Sequence, residues 1–197
     1  MTESTIRDVR RRQILDAARS LVAAGGLAAL TFGSLERRLT FTRGVITHHF
    51  ASKSEIAHAL LDDVVSDIDA ATTDATPRGG STADQVFGLL KGMVEGLHEN
   101  PEATRVLIAF WSLQQVDSQV ALTNAALFSR QRSQCAGVFR AGQTRGEVRP
   151  DLDVEAISAV VIGLVIGVVA QAVFDRAAVN VEHAVTSAAE AIILAVC

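Results

Sequence analysis

Arg43 sits in the run Thr42-Arg43-Gly44-Val45-Ile46-Thr47, whose exposed-type side chains are small or able to hydrogen-bond. Placed on the first turns of a helix, that combination suits the edges of DNA bases. An arginine can donate two hydrogen bonds to a guanine edge, and a threonine methyl or Val45 can touch a thymine methyl. Gly44 would let the backbone approach closely, because no side chain intervenes. Lys53, at the start of the next helix, offers a phosphate both a cation and a helix N-terminus. Thr31 and His48 complete the set of candidate DNA contacts, while Phe50 reads as an apolar plug.

The elements that must position these residues are legible in the spacing. Ile14, Leu15, Ala18, Leu21 and Val22 recur at helical intervals until Gly25-Gly26 breaks the pattern. A second short helix starts near Thr31, an acceptable N-cap, and passes through Leu35 to Leu39. Thr42 can cap a third that ends near His49. Ser52 and Glu55 form a capping box for a fourth, which continues through Ile56, Leu60, Leu61, Val64, Val65 and Ile68. Three short helices, the last two separated by a tight turn and followed by a long one, describe a helix-turn-helix.

Charge isolates the same segment. The chain carries a net charge of −4, yet residues 1–58 hold nine Lys/Arg against five Asp/Glu and the remainder nine against seventeen. A basic segment on an acidic chain suggests a polyanionic partner, with a solvated basic face as the plain alternative. The 49% hydrophobic content comes mainly from Ala, Val and Leu, with eight Phe, one Trp and no Tyr. That bias favours helix over sheet.

Thr72–Ala83, rich in Thr, Pro and Gly, is the best linker candidate. Beyond it, helices are expected at about Asp84–Glu99, from Pro101, Ser118–Thr144, Val154–Phe174 and Val181–Val196. The fold class expected is therefore all-α, about nine helices. It divides into a helix-turn-helix head at 1–52 and a ligand-binding and dimerisation bundle at 53–197.

Enzyme chemistry finds little support. There is no Gly-rich phosphate loop, the five histidines show no metal-ligand spacing, and His98-Glu99 lacks the second histidine of a zincin helix. Cys135 and Cys197 match no redox or metal pattern. No catalytic residue, metal or cofactor is expected. With no apolar stretch in the polar, basic N-terminus, a cytoplasmic location is the simplest reading.

The ordered run Ile14-Leu15-Asp16-Ala17-Ala18, Leu21, Gly26-Leu27, Leu30-Thr31-Phe32, Leu35, Thr42 to Phe50 and Lys53-Ser54-Glu55 resembles the DNA-binding domain of TetR-family regulators. Gly142 and Gly146-Glu147-Val148-Arg149-Pro150-Asp151-Leu152-Asp153 resemble that family's turn before its penultimate helix. The resemblance implies an all-helical homodimer that binds a palindromic operator as a repressor and releases it when a ligand enters the C-terminal body. It also implies that His48 faces the DNA while His49 packs beside Phe50. Two positions depart from the pattern. Thr40 replaces the usual turn glycine, so a strained or differently wound turn is expected there. Thr47 replaces a tyrosine that touches phosphate.

Ala156–Ala170 has Ser158 as its one polar residue, and Gly163 and Gly167 make a G-x-x-x-G pattern. In a bilayer this would be a packing face, but the run is short for a span, and burial at a dimer interface is preferred. Val185, Ala189 and Ile192 of the last helix are expected to join it in a four-helix interface. That arrangement would set two reading helices one DNA turn apart. A membrane-attached helical protein is the competing reading, with a helical enzyme behind it. Phe87, Met93, His98, Phe110, Trp111, Gln114 and Phe128 are the candidate ligand-pocket residues. Their scarcity of charge points to an apolar or neutral small-molecule effector.

Overall fold

The computed structural model describes residues 3–113, 115–175, 177 and 179–197, with the side chains of 3–5, 75 and 174 left aside. Among the described residues all regular structure is helical: α1 Glu3–Ala29, α2 Phe32–Leu39, α3 Arg43–His49, α4 Lys53–Ala75, α5 Thr82–His98, α6 Pro101–Trp111, α7 Ser118–Arg145, α8 Val154–Phe174 and α9 Val181–Val196.

Local chemistry explains most helix boundaries. α1 is interrupted at Gly25 and Gly26, the latter at φ 66°, a region open to glycine. Thr31 caps α2 by accepting from the Ser34 N–H at 3.0 Å. Ser52 accepts from the Glu55 N–H at 3.1 Å, and the Glu55 carboxylate accepts from the Ala51 N–H at 2.6 Å, a reciprocal brace at the start of α4. α5 opens on a full capping box between Ser81 and Asp84. Thr42 occupies the N-cap position of α3 without a side-chain hydrogen bond, so only its backbone caps that helix.

The expected linker shortens. Thr72 and Thr73 belong to α4, their hydroxyls donating to the carbonyls of Ile68 and Asp69, each at 2.8 Å. Back-bonding of this kind lets threonine stay in a helix. What remains between α4 and α5 is 76–81.

The chain forms two compact units, Met1–Val65 with Glu102–Asn124, and Ser66–Pro101 with Ala125–Cys197. They divide the chain differently from a cut after residue 52, because side chains hold the first turns of α4 to the head. In the first unit α1, α2 and α3 pack on one another around Ile14, Leu15, Ala18, Leu30, Leu35, Ile46 and Phe50. Asp63 of α4 accepts from Arg12 and Arg19 of α1, each at 2.6 Å. His58 of α4 meets Asp117 at 2.8 Å, and Asp117 in turn accepts from the N–H groups of Gln119 and Val120 as α7 begins. That contact, led by the His58 hydrogen bond, holds the Asp117 carboxyl below its ordinary value.

In the second unit α5, α8 and α9 pack together. Val86, Leu89, Leu90, Met93 and Val94 of α5 form its centre. The turn after α7 is tied to the start of α5. The Glu147 carboxylate accepts from the Thr82 N–H at 2.6 Å, the Thr82 hydroxyl at 2.7 Å and Arg145 at 2.9 Å. Gly142 lies beneath that knot, where a Cβ would come within 2.3 Å of the Thr82 hydroxyl and 2.6 Å of Val148.

Candidate nucleic-acid interface

α2 and α3 are the two arms of the helix-turn-helix, and the turn between them is the unusual one anticipated at Thr40. Thr40 adopts φ 57°, ψ 18°, the left-handed region that disfavours a β-branched residue. Its N–H still donates to the Glu36 carbonyl at 3.0 Å, so the α2 C-cap is complete despite the strain.

α3 buries Ile46 and sets Phe50 at 0% exposure in the core behind it. Its other faces carry the candidate contacts: Thr42, Arg43, Gly44, Thr47 and His48 are exposed, and Val45 is half-buried. A Cβ at Gly44 would meet nothing nearer than the Thr42 hydroxyl at 4.0 Å, so no intrachain contact requires the glycine. The Arg43 guanidinium lies over the Phe32 ring, 4.9 Å from its centroid. Thr47 is partly committed, its hydroxyl directed at the carbonyls of Arg43 (3.0 Å) and Gly44 (3.3 Å). Thr31 is likewise engaged in capping α2. Lys53 is exposed at the first residue of α4.

His49 is half-buried and stands edge-on to His48, ring centroids 5.3 Å apart. Burial lowers its pKa first, and the positive charges of His48, Arg7, Arg10 and Arg11 lower it further. Those arginines therefore concentrate positive potential beside α3, with Arg11 resting 4.7 Å from the centroid of the Phe50 ring. They belong to the basic segment and lie outside the contacts expected from the sequence. The Arg10-Arg11-Arg12 run was the signal available.

The other expected sites divide. Phe87 and His98 line a cavity of about 520 Å³ in the second unit, together with Glu95, Glu99, Asn180 and Glu182. Met93 and Phe110, at 1% and 0% exposure, are core residues and do not line that cavity, a correction imposed by packing density. Trp111 and Phe128 are half-buried elsewhere, Trp111 in the first unit, and Gln114 lies outside the described residues. Val185, Ala189 and Ile192 also require correction as interface residues. They are 5%, 6% and 5% exposed, inside a unit where α9 packs against α5 and α8. The outward side of α9 carries His183, Ser187, Ala191 and Leu194 instead. Gly163 is exposed and Gly167 half-buried, and a Cβ at either would meet no atom within 4 Å.

A braced helix-turn-helix with an open arginine on its second helix, among described residues that are otherwise helical, defines a DNA-binding regulator. Comparisons with known proteins agree. Residues 14–60 match the family model described as bacterial regulatory proteins, tetR family, and residues 82–195 match BetI-type transcriptional repressor, C-terminal. The chain belongs to the tetR family of bacterial transcriptional regulators. Among curated relatives, the HTH-type transcriptional regulator BetI of Escherichia coli O139:H28 (strain E24377A / ETEC) is 26% identical over 155 residues, covering 70% of this chain and 79% of its own. A tetR-family regulator from Chloroflexus aurantiacus J-10-FL shares the fold at TM-score 0.83, 21% identity, and 95% and 96% coverage of the two chains. A transcriptional regulator from Saccharomonospora viridis, solved in complex with choline, does so at TM-score 0.82, 19% identity, and 92% and 94% coverage.

Proposed function

We propose that this regulator is a cytoplasmic repressor that binds a palindromic operator as a homodimer and leaves it when a small molecule enters the body at 53–197. The observation that carries the DNA-reading half is Arg43, exposed at the start of α3 and, among the described residues, in no ion pair with a carboxylate. Thr42, Gly44, Val45 and His48 share the reading surface, with Lys53, Arg10 and Arg11 placed for phosphates.

The dimer rests on α8. Ala156, Ala159, Val160 and Gly163 leave an apolar, small-residue strip exposed, with Val160 at 60%. Such a strip allows a second helix to approach closely. The outward residues of α9 extend it, in place of the inward Val185, Ala189 and Ile192. Val154–Val173 also has the length and apolar character to cross a membrane, with 33% of that span buried. Its packing against α5 and α9 favours the dimer.

For the effector, the cavity at Phe87 and His98 is lined by Lys91, which pairs with Glu95 at 3.8 Å, and by two further carboxylates, Glu99 and Glu182. Those two carboxylates suit a small cation better than the apolar or neutral molecule expected from composition. Choline, bound by the Saccharomonospora viridis regulator, is the first compound to test.

Selection of bound DNA from a random pool tests the reading directly, and a palindrome is the expected product. Arg43→Ala should then weaken specific binding by about 1–3 kcal/mol with the fold intact. Light scattering should give twice the 20.9 kDa chain mass. Non-palindromic enrichment, or a monomer at micromolar concentration, would refute the dimer.

A further inference from the structure

The stack of Arg43 on Phe32 joins the two arms of the helix-turn-helix through a contact that uses none of the arginine's hydrogen-bond donors. Phe32 is the first residue of α2 and half-buried. Its backbone position is held by Thr31, which caps the helix through Ser34, while Arg37 donates to the Ser34 hydroxyl at 3.3 Å. The ring is therefore presented by a braced turn. The Arg43 guanidinium rests on its face, 4.9 Å from the centroid.

Arg11 also rests on a ring, that of Phe50, but three other arginines of the head are spent on hydrogen bonds. Arg12 and Arg19 give their N–H groups to Asp63, and Arg37 gives one to Ser34. A carboxylate partner would neutralise Arg43 and occupy the donors a guanine needs. An aromatic face does neither, because attraction to the ring's quadrupole is directed through the plane of the guanidinium and leaves its N–H edge free. Holding the fork before DNA arrives also removes part of the ordering cost of a long side chain.

We propose that Phe32 is a positioning residue for base readout: it pre-orients the Arg43 fork and thereby sharpens discrimination at the base pair that Arg43 reads. The inference rests on the DNA-reading role of Arg43 proposed above. It predicts an effect on sequence preference, with little change in affinity for unrelated DNA, whose binding depends on phosphates.

Fluorescence anisotropy with the pool-selected operator, single-base variants of it and a scrambled duplex tests the idea at one salt concentration. The protein panel is wild type, Phe32→Leu, Phe32→Tyr, Arg43→Ala and the Phe32→Leu/Arg43→Ala double variant, each checked for helicity by circular dichroism. Phe32→Leu should lose roughly two- to fivefold of the operator preference at the Arg43 base pair, the range of an exposed cation–π contact. Phe32→Tyr should keep it, and the scrambled duplex should bind all folded variants alike where Arg43 is retained. Phe32→Leu should change nothing further once Arg43 is alanine. Should Phe32→Leu not fold, Phe32→Met preserves apolar bulk without a ring and takes its place. Full preference retained by the ringless variant overturns the proposal. So does an equal loss in the Arg43→Ala background, which would mean that Phe32 touches DNA itself or acts only on the fold. If Arg43→Ala keeps every base preference, the DNA-reading role fails first and the proposal falls with it, a result distinct from failure of Phe32 alone.

Discussion

Asp63→Asn removes a charge that two α1 arginines share, and the structure gives the size of the loss. The Arg19 side chain is 10% exposed and that of Asp63 18%, so their 2.6 Å contact is largely out of water. A charge-assisted hydrogen bond of this kind, formed largely out of water, contributes about 1.5–3 kcal/mol. Arg12 is 51% exposed and also reaches Asp16, so its share is about 0–1 kcal/mol. The expected destabilisation is therefore about 2–3 kcal/mol, against a typical total of roughly 5–15. For a chain of this length each kcal/mol lowers Tm by about 2–4 °C, which gives about 5–10 °C at the centre of the range. Thermal and urea unfolding followed by circular dichroism at fixed protein concentration would measure it, with Arg12→Ala as the exposed control. Equal, small losses in both variants, below about 1 kcal/mol, would refute the assignment of the stabilisation to the buried Arg19–Asp63 contact.

Other perturbations test separate parts of the structure. Thr40→Gly relieves a β-branched residue at φ 57° and should raise stability by about 1 kcal/mol; a fall in Tm would show that the turn is not strained in this sense. Glu147 has its pKa pulled down from 4.5 to about 2, chiefly by the Arg145 hydrogen bond and then by Thr82. A depressed carboxyl stabilises the fold while ionised, so its contribution is complete above about 4.5 and vanishes as pH falls toward about 2. Glu147→Gln should therefore lower Tm at pH 7 and flatten its acid-side decline, and an unchanged pH profile would contradict the knot at Thr82. Asn124 is 1% exposed, and among the described residues neither amide atom meets a hydrogen-bond partner. Asn124→Leu, similar in size, should raise stability by about 1–3 kcal/mol in calorimetry, whereas a loss would show that the amide is hydrogen-bonded in solution.

How much was legible beforehand follows the range of the interactions involved. Helix starts and stops are decided within about one turn, so Gly25-Gly26, Thr31, the Ser52–Glu55 brace and Pro101 could be placed from the sequence. The linker was overextended because threonine, a turn-former by composition, can return its hydroxyl to its own helix, as Thr72 and Thr73 do. The facing of α9 is not legible in the sequence, for a different reason. An apolar stripe declares that it will be covered, without saying whether α5 or a second chain covers it.

What the sequence determined alone was the set of helices and the helix-turn-helix among them. Each follows from backbone sterics, capping and the 3.6-residue period. Tertiary structure decided which charges would be spent and which kept. Asp63 lies 51 and 44 residues from the arginines it binds, and Phe32 lies eleven residues before the guanidinium it supports, across a turn. Such pairings depend on where helices cross, a property of packing that no local pattern encodes. The same packing turned Val185, Ala189 and Ile192 inward and left Gly163 uncovered.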